Sequence, residues 1–500
     1  KLAFEVASGF YDKETTNAPL LLRQELYNKR LAEVESGVDS YWLSEGLRTG
    51  LTHKHNLRVT GGDKAMYYSF GLNYSGNQGV MEKSGRDVLG GNINLMYRTD
   101  KLQLSNDFTL SYTESDNAPV AFSQYARVNP YYKKEINPDH PEYLEIYELG
   151  VTSTVRKVAN PLYNASLNYK NGSKNTNLRN NFRIEYRPVN GLKLAGKISI
   201  SKSEGKTENF KSPKHTDFAN TPQFERGSYS KSTSSGMSYS GDVSVTYGKN
   251  FNEAHMLNVV GRWDFQSSKD YSDSYLAIGF PTDRLSSPAF AISYPETGKP
   301  SYNERINRKM NMMVTAGYGY KERYLIDATI RRDGSTNFGR NNLWTNTWSV
   351  GLAWNIHKEA FIGDWTDLLK LRVAYGNPGN NSQSYDTYLT YSYSTDHQNI
   401  FGLGGLLKSF GNSELDWQKT RDLTIGADLS FLKRRLSLTL DVYRKVTDPL
   451  IISIDVAPST GKDNYITNVG RNTINGLTFT LNTRIIDNWE KDLHWNISLN

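Results

Sequence analysis

Hydrophobic and polar residues alternate with a period of two along most of the chain. From Leu102 to Thr113 the even positions are Leu102, Leu104, Asn106, Phe108, Leu110 and Tyr112. The odd positions, Gln103, Ser105, Asp107, Thr109, Ser111 and Thr113, are all polar. The same alternation recurs over Met66–Ser75, Trp348–Ile356, Leu423–Phe431 and Leu477–Ile485. A strand whose faces meet two different solvents carries this pattern. Soluble strands are commonly about 5–6 residues long, whereas many runs here hold for about eleven. At about 3.3 Å per residue and a tilt near 40°, eleven residues rise roughly 28 Å, close to the ~25 Å apolar band of a transmembrane β-barrel. A β-sandwich would show shorter strands and more apolar residues in total.

The connections alternate in length. Short turns are predicted at Thr99–Lys101, Pro188–Gly191, Gly248–Glu253, Lys321–Arg323 and Lys433–Arg435. Long polar segments are predicted over 115–175, 206–237, 268–309 and 377–418. Short turns on one side and long loops on the other are the arrangement of outer-membrane barrels. The pattern predicts sixteen or seventeen strands, with one helix over Pro19–Val34 set apart from them. Leu2, Phe4 and Val6 alternate at the start and read as strand, as does His494–Asn500 at the other end.

Composition sharpens this picture. Hydrophobic residues, tyrosine included, are 37% of the 500, below the roughly 45–50% apolar content of soluble domains. Aromatics at 12% and a net charge of +7 argue against disorder. Cysteine is absent, which removes disulfides, thiolate metal sites and a Cys nucleophile. The apolar runs are far too short for a helical membrane span, and the first residues do not have the layout of a secretory signal. Lys and Arg are scattered through turns and loops, where a solvated surface or contact with anionic lipid headgroups explains them better than nucleic acid.

Catalytic patterns such as HExxH, GxSxG and GxxxxGK[ST] do not occur, so no enzyme activity, cofactor or metal site is expected. His53-x-His55 offers two imidazoles on one strand face but no third ligand nearby. Asp270 and Asp273 read as solvated loop acids rather than a Ca²⁺ loop, and Gly402–Gly405 has no following helix to make a phosphate cradle. Tyr97, Tyr112, Trp263, Trp348 and Trp354 fall on the lipid-side register as interfacial girdle residues. Tyr131, Tyr132, Tyr385, Tyr388, Tyr391 and Tyr393 fall in long loops, where they either contact a ligand or pack the loops themselves.

Several strings occur in an order that resembles the SusC/RagA family of TonB-dependent outer-membrane transporters from Bacteroidota. They are HNLRVTGGDKAMYYSFGLNYSGNQGV from His55, NPLYNASLN from Asn160 and RRDGSTNFG from Arg331 with WSVGLAWNI from Trp348. LKLRVAYGNPGN from Leu369, LDWQKTRDLTIGADLSFLKRRLSLTLDVYRKVTDPL from Leu415 and NVGRNTINGLTFTL from Asn468 follow. The resemblance implies an all-β transmembrane antiparallel barrel of 22 strands with long extracellular loops, of which residues 1–500 would be a partial barrel. It also implies a signal, a carboxypeptidase-like extension, a plug and final strands, none of which is expected within this chain. Structural roles are expected for Arg331, Arg332, Asp333, Gly334, Phe338, Gly339, Tyr375, Gly376, Gly379, Asn380, Asn468, Gly470 and Gly476. The implied partners are a SusD-like lipoprotein lid, TonB with ExbB and ExbD, outer-membrane lipid and a glycan or peptide ligand. Two other readings stand beside import: a passive porin, and a scaffold in an outer-membrane assembly or secretion complex.

Overall fold

A computed structural model describes all residues except 13–16, 136, 150–153, 297, 364, 381–384, 386 and 489–492. Sixteen full strands form one antiparallel meander. They are β1 (Thr52–Gly62), β2 (Met66–Gln78), β3 (Gly85–Arg98), β4 (Leu102–Asp116), β5 (Tyr169–Tyr186), β6 (Leu192–Lys211), β7 (Ser228–Phe251) and β8 (His255–Ile278). Then come β9 (Ser301–Tyr320), β10 (Tyr324–Ser335), β11 (Trp344–Asn355), β12 (Thr366–Gly376), β13 (Gln418–Phe431), β14 (Leu436–Thr447), β15 (Asn472–Asn488) and β16 (Leu493–Leu499). Gly379–Asn380 adds a two-residue pairing onto β13. Each strand pairs with its neighbour in this order, so β1 and β16 are the sheet's edges among the described residues.

Register carries the two-solvent pattern across the sheet. Leu352, Val373, Ile425, Val442 and Leu477 lie opposite one another on β11 to β15. All five are exposed, from 40% for Val373 to 67% for Leu477. An apolar row of this breadth does not face water on a stable monomer; it fits the lipid-facing side of a barrel. Aromatic rings border it at the short-turn end, where Tyr320 and Trp354 both stack on Tyr324 at 6.5 and 6.3 Å.

The short turns lie at one end of the sheet. At Lys321–Glu322 both residues have positive φ, 49° and 54°. Two central residues with φ > 0 make the tight reversal whose twist matches the flanking strands. The long segments lie at the other end, together with residues 1–51. There α1 (Leu2–Ala7) and α2 (Asn17–Glu35) pack near the 117–168 connection, which carries a hairpin of Tyr143–Leu149 and Thr154–Ala159.

Three expectations are corrected. The 206–237 and 268–309 segments are not loops throughout, because pairing continues to Lys211, Ile278 and back from Ser228 and Ser301. These extensions are mostly polar on both faces until the buried cluster of Phe210, Tyr229 and Phe280 at their tips, so alternation fades while the backbone ladder goes on. A cross-strand ion pair supports the second of them, Lys269–Glu304 at 2.7 Å. At about 3.3 Å per residue, the 24 residues of β7 or β8 run ~80 Å, far more than the apolar band requires. Leu2, Phe4 and Val6 lie in a helix, with Leu2 buried against Tyr11 and Leu26 and Phe4 exposed. Three alternating residues are too few to separate the two periods. Asp270 and Asp273 lie within β8, paired on both sides, rather than in a loop.

Ile425→Arg, on the exposed apolar row, should destabilise the assembled sheet by roughly 2–4 kcal/mol. Thr424→Arg, on the opposite face, should cost much less. The SDS-resistant folded fraction after refolding into lipid vesicles measures both, and equal losses would contradict the face assignment.

Candidate functional site: the polar face and the loop roots

The polar face is laced by ions held at strand spacing. Arg372 on β12 reaches Asp428 on β13 at 3.0 Å and Asp441 on β14 at 2.8 Å. The Thr439 hydroxyl donates to Asp428 at 3.2 Å. Gly426 lies beneath this pair, where a Cβ would fall 2.3 Å from Asp441 Oδ1 and 2.7 Å from the guanidinium carbon. Only glycine lets the guanidinium lie that close to the wall. Further along, Lys445 pairs with Asp422 at 3.3 Å, and Asn311 donates to Asp264 at 2.6 Å. Partly exposed pairs such as these add little stability. Their chemical effect is a charged, hydrogen-bonding wall opposite the apolar face.

At the long-loop end the residues of the RRDGSTNFG string divide between the faces. Arg331 donates to buried Asp333 at 2.5 Å on the polar side. Arg332, on the other face, lies over the Trp344 ring at 5.3 Å. Gly334 makes room for that ring, since a Cβ would sit 2.6 Å from it. Phe338 is buried and stacks on Trp417 at 4.1 Å. The Gly339 amide donates to Leu415 O at 3.0 Å, and the Trp417 indole donates to Asn342 O at 3.1 Å. Asn468 accepts from the Asp416 amide at 2.7 Å and donates to its carbonyl at 2.8 Å. The roots of three connections (336–343, 377–417 and 448–471) are thereby tied into one knot.

Tyr375 and Gly376 lie against Trp348, and Gly379 against Thr347 and Trp417. Asn380 pairs through its backbone with Gln418, and its side chain lies outside the described residues. Gly470 has φ 85°, and Gly476 lies under the Tyr443 ring. Leu415 and Trp417, 0% and 1% exposed, are the anchors that sequence reasoning did not single out. Their signal was an apolar pair, L-x-W, in a polar stretch just before a strand. A cavity of about 360 Å³ beside the knot is lined on the polar face by Thr329, Arg331, Asp333, Thr347, Ser349 and Asp422.

Two of the loop tyrosines pack the loops themselves. Tyr131 and Tyr132 are 4% and 7% exposed, inside a cluster with Trp42, Val120 and Tyr125. Nearly all of each ring packs against protein, although both border a cavity of about 320 Å³ beside Arg30 and Glu145. They surround Arg30 of α2, which pairs with Glu145 at 2.7 Å and Glu5 at 3.2 Å. Arg30 also donates to the hydroxyls of Tyr11 at 3.0 Å and Tyr132 at 3.3 Å. Burial pushes the Tyr11 phenol up to about 12, and burial together with the Glu145 carboxylate raises Tyr132 as well. Tyr385 is partly buried, whereas Tyr388, Tyr391 and Tyr393 are exposed in and beside the hairpin of Thr390–Asn399 and Gly402–Ser409. Gly402–Gly405 forms part of that hairpin's second strand. His53 and His55 bring their rings to 5.5 Å, and no cluster of three metal-ligating side chains exists among the described residues.

A meander with one exposed apolar face, one ionic face, short turns at one end and long tied loops at the other defines a membrane β-barrel wall. The chain belongs to the TonB dependent receptor-like β-barrel family, whose model matches residues 152–500. It is 32% identical over 230 residues to TonB-dependent receptor P39 of Formosa agariphila, covering 45% of this chain and 22% of that protein. It is 24% identical to TonB-dependent receptor SusC of Bacteroides thetaiotaomicron over a 557-residue alignment, covering 100% of this chain and 51% of SusC. Among solved structures it superposes on the RagAB peptide transporter with a TM-score of 0.72 and 19% identity, covering 99% of this chain and 57% of that one. The chain spans about half or less of the length of the curated relatives it matches.

Phe338→Ala should remove roughly 3–5 kcal/mol of buried packing at the knot. Limited trypsin digestion should then cut at Lys408 or Lys419 faster than in the parent while the barrel stays SDS-resistant; an unchanged rate would contradict the anchoring role. Because the folded Tyr11 pKa is raised, its contribution to stability is complete below about pH 10 and fades as pH climbs toward about 12. A difference titration of tyrosinate absorbance between the parent and Tyr11→Phe should show a midpoint near the upper value, and one at the ordinary phenol value would contradict the buried clamp.

Proposed function

We propose that the chain forms much of the barrel wall of a SusC-like, TonB-dependent transporter in the outer membrane. On this reading the protein imports oligosaccharide or peptide ligands beneath a SusD-like surface lipoprotein. The observation that carries it is the family match across residues 152–500, joined to an ionic inner face beneath long loops. The RagAB peptide transporter likeness supports the barrel fold, and the SusC likeness supports an importer.

The wall's part in import is passive and geometric. Its strands from β2 to β15 are paired on both sides, so it holds shape while a plug, supplied elsewhere in the whole protein, opens and closes. Ligand lands between lid and loops, then passes along the charged polar face once TonB, driven through ExbB and ExbD, pulls the plug aside. No bond is made or broken. The tied loop roots keep the entrance in one arrangement while the lid moves.

The test is purification of the full-length protein from its native membrane, paired with uptake in cells lacking TonB. A lipoprotein and bound ligand should come down with it, and uptake should be lost without TonB. Uptake that persists without TonB would point to a porin. Recovery with assembly machinery and no ligand would point to a scaffold.

A further inference from the structure

At the long-loop end of the polar face a cavity of about 410 Å³ lies where β4, β5 and β6 end, under the 117–122 and 161–168 segments. That is within the roughly 300–1,000 Å³ of small-molecule sites. Asn117, Asn171 and Asn209 stand side by side across the three strand ends. The Asn117 amide N–H bonds to Asn171 O at 2.7 Å, and Asn171 is in register with Asn209. Between the side chains there is one hydrogen bond, from Asn117 to Asn171 at 3.2 Å. Asn117 Oδ1, Asn171 Nδ2 and both ends of the Asn209 amide have no protein partner among the described residues.

His215 closes the cavity from the 212–218 segment and is 8% exposed. Its Nδ1 accepts from the Asp217 amide at 3.1 Å, which places the proton of the neutral ring on Nε2. Burial holds the imidazole below its ordinary pKa, so the ring stays neutral. Nε2–H then lacks a protein acceptor among the described residues. Ser212, 1% exposed, accepts from the Lys214 amide at 3.1 Å and keeps its own hydroxyl proton to donate.

The remaining lining is apolar, aromatic or already committed. Phe122 is exposed, and Tyr169 and Leu167 complete a hydrophobic side. No carboxylate lines the cavity. Its two lysines are engaged elsewhere, Lys211 with Asp217 at 2.5 Å and Lys170 over the Tyr229 ring at 5.8 Å.

We propose that this cavity is a wall subsite for a neutral sugar ring of an oligosaccharide. The proposal rests on the transporter reading only in taking the polar face as the ligand path. Each sugar hydroxyl both donates and accepts, and a carboxamide presents one donor group beside one acceptor, so a row of three amides matches vicinal hydroxyls. The C–H face of the ring covers the aromatic side. A peptide's cationic groups find no carboxylate in the lining, and its backbone finds no open strand edge, because β4, β5 and β6 are paired on both sides. A uronate would meet Lys211 already paired with Asp217, and Lys170 alone at the cavity's border.

The test uses the full-length protein with its lipoprotein, purified from native membrane. Binding is measured against three probe sets: neutral hexose oligomers, uronate-containing oligomers and a tryptic peptide pool. Neutral oligomers should be retained, and Asn209→Leu and His215→Phe should each weaken them about tenfold or more, as unpaired polar partners are left behind. Asn209→Ser, the smaller change, should give an intermediate loss, with SDS-resistant mobility confirming folding in every case. Retention of only peptides or uronates, variant-insensitive binding of neutral oligomers, or no retention at all would overturn the proposal. TonB-dependent uptake is scored separately. Import that survives alongside insensitive variants removes the subsite and keeps the transporter, whereas sugar binding with TonB-independent uptake does the reverse.

Discussion

A strand with an apolar solvent on one side cannot leave a backbone N–H or C=O unpaired there, because each orphan costs several kcal/mol. Ladder pairing meets that demand for every strand between the edges β1 and β16, and nearly everything else in the molecule is set by it. Because pairing fixes register and the side-chain period is two, a slip of one residue would exchange the two faces. Among the described residues the register shifts within this sheet are two, at Thr366/Leu368 and Arg484/Ile486. Both lie toward the short-turn end, away from the loop roots. With register held, Val373 and Ile425 share one face while Arg372, Asp428 and Asp441 meet on the other. The close approach over Gly426 is a product of the same alignment.

The loops inherit their order from the same ladder. Strands such as β7 and β8 remain paired well past the apolar row, so the long connections start from a stiff rim. Two packed anchors then hold them. Phe338 on Trp417 joins the roots of three connections, and Arg30, surrounded by Glu5, Glu145, Tyr11 and Tyr132, joins the first helices to the 117–168 connection. The second anchor is the more demanding of the two. Removing one partner of a buried ion pair leaves an uncompensated charge and costs about 3–5 kcal/mol, so the cluster holds as a unit.

Legibility in the sequence followed the chemistry of each segment. Where one face meets lipid, as in Leu102–Thr113 or Leu423–Phe431, alternation alone located the strand and sorted its residues. Where both faces meet water, as in Lys202–Asn209 or Ser267–Asp273, alternation has nothing to report, and strands passed for loops. Tyr131 and Tyr132 could not be told from exposed loop rings, because what buries them is Arg30, about a hundred residues earlier. The ordered strings located the RRDG segment, but not that its Phe338 would find Trp417. The asparagine row at the loop end was equally silent: Asn117, Asn171 and Asn209 meet only through register.

The central claim is that this sheet separates an apolar solvent from water, residue by residue. These 500 residues hold no cysteine, so single cysteines placed from Leu423 to Leu429 of β13, Gly426 excepted, are the only thiols of this sheet. Labelled with a fluorophore in the refolded full-length protein, they can be challenged with a lipid-soluble quencher and then with a water-soluble one. The account predicts strict alternation: Leu423, Ile425, Ala427 and Leu429 quenched from the lipid, Thr424 and Asp428 from water. Uniform quenching by the water-soluble agent, or alternation with the opposite phase, would contradict it.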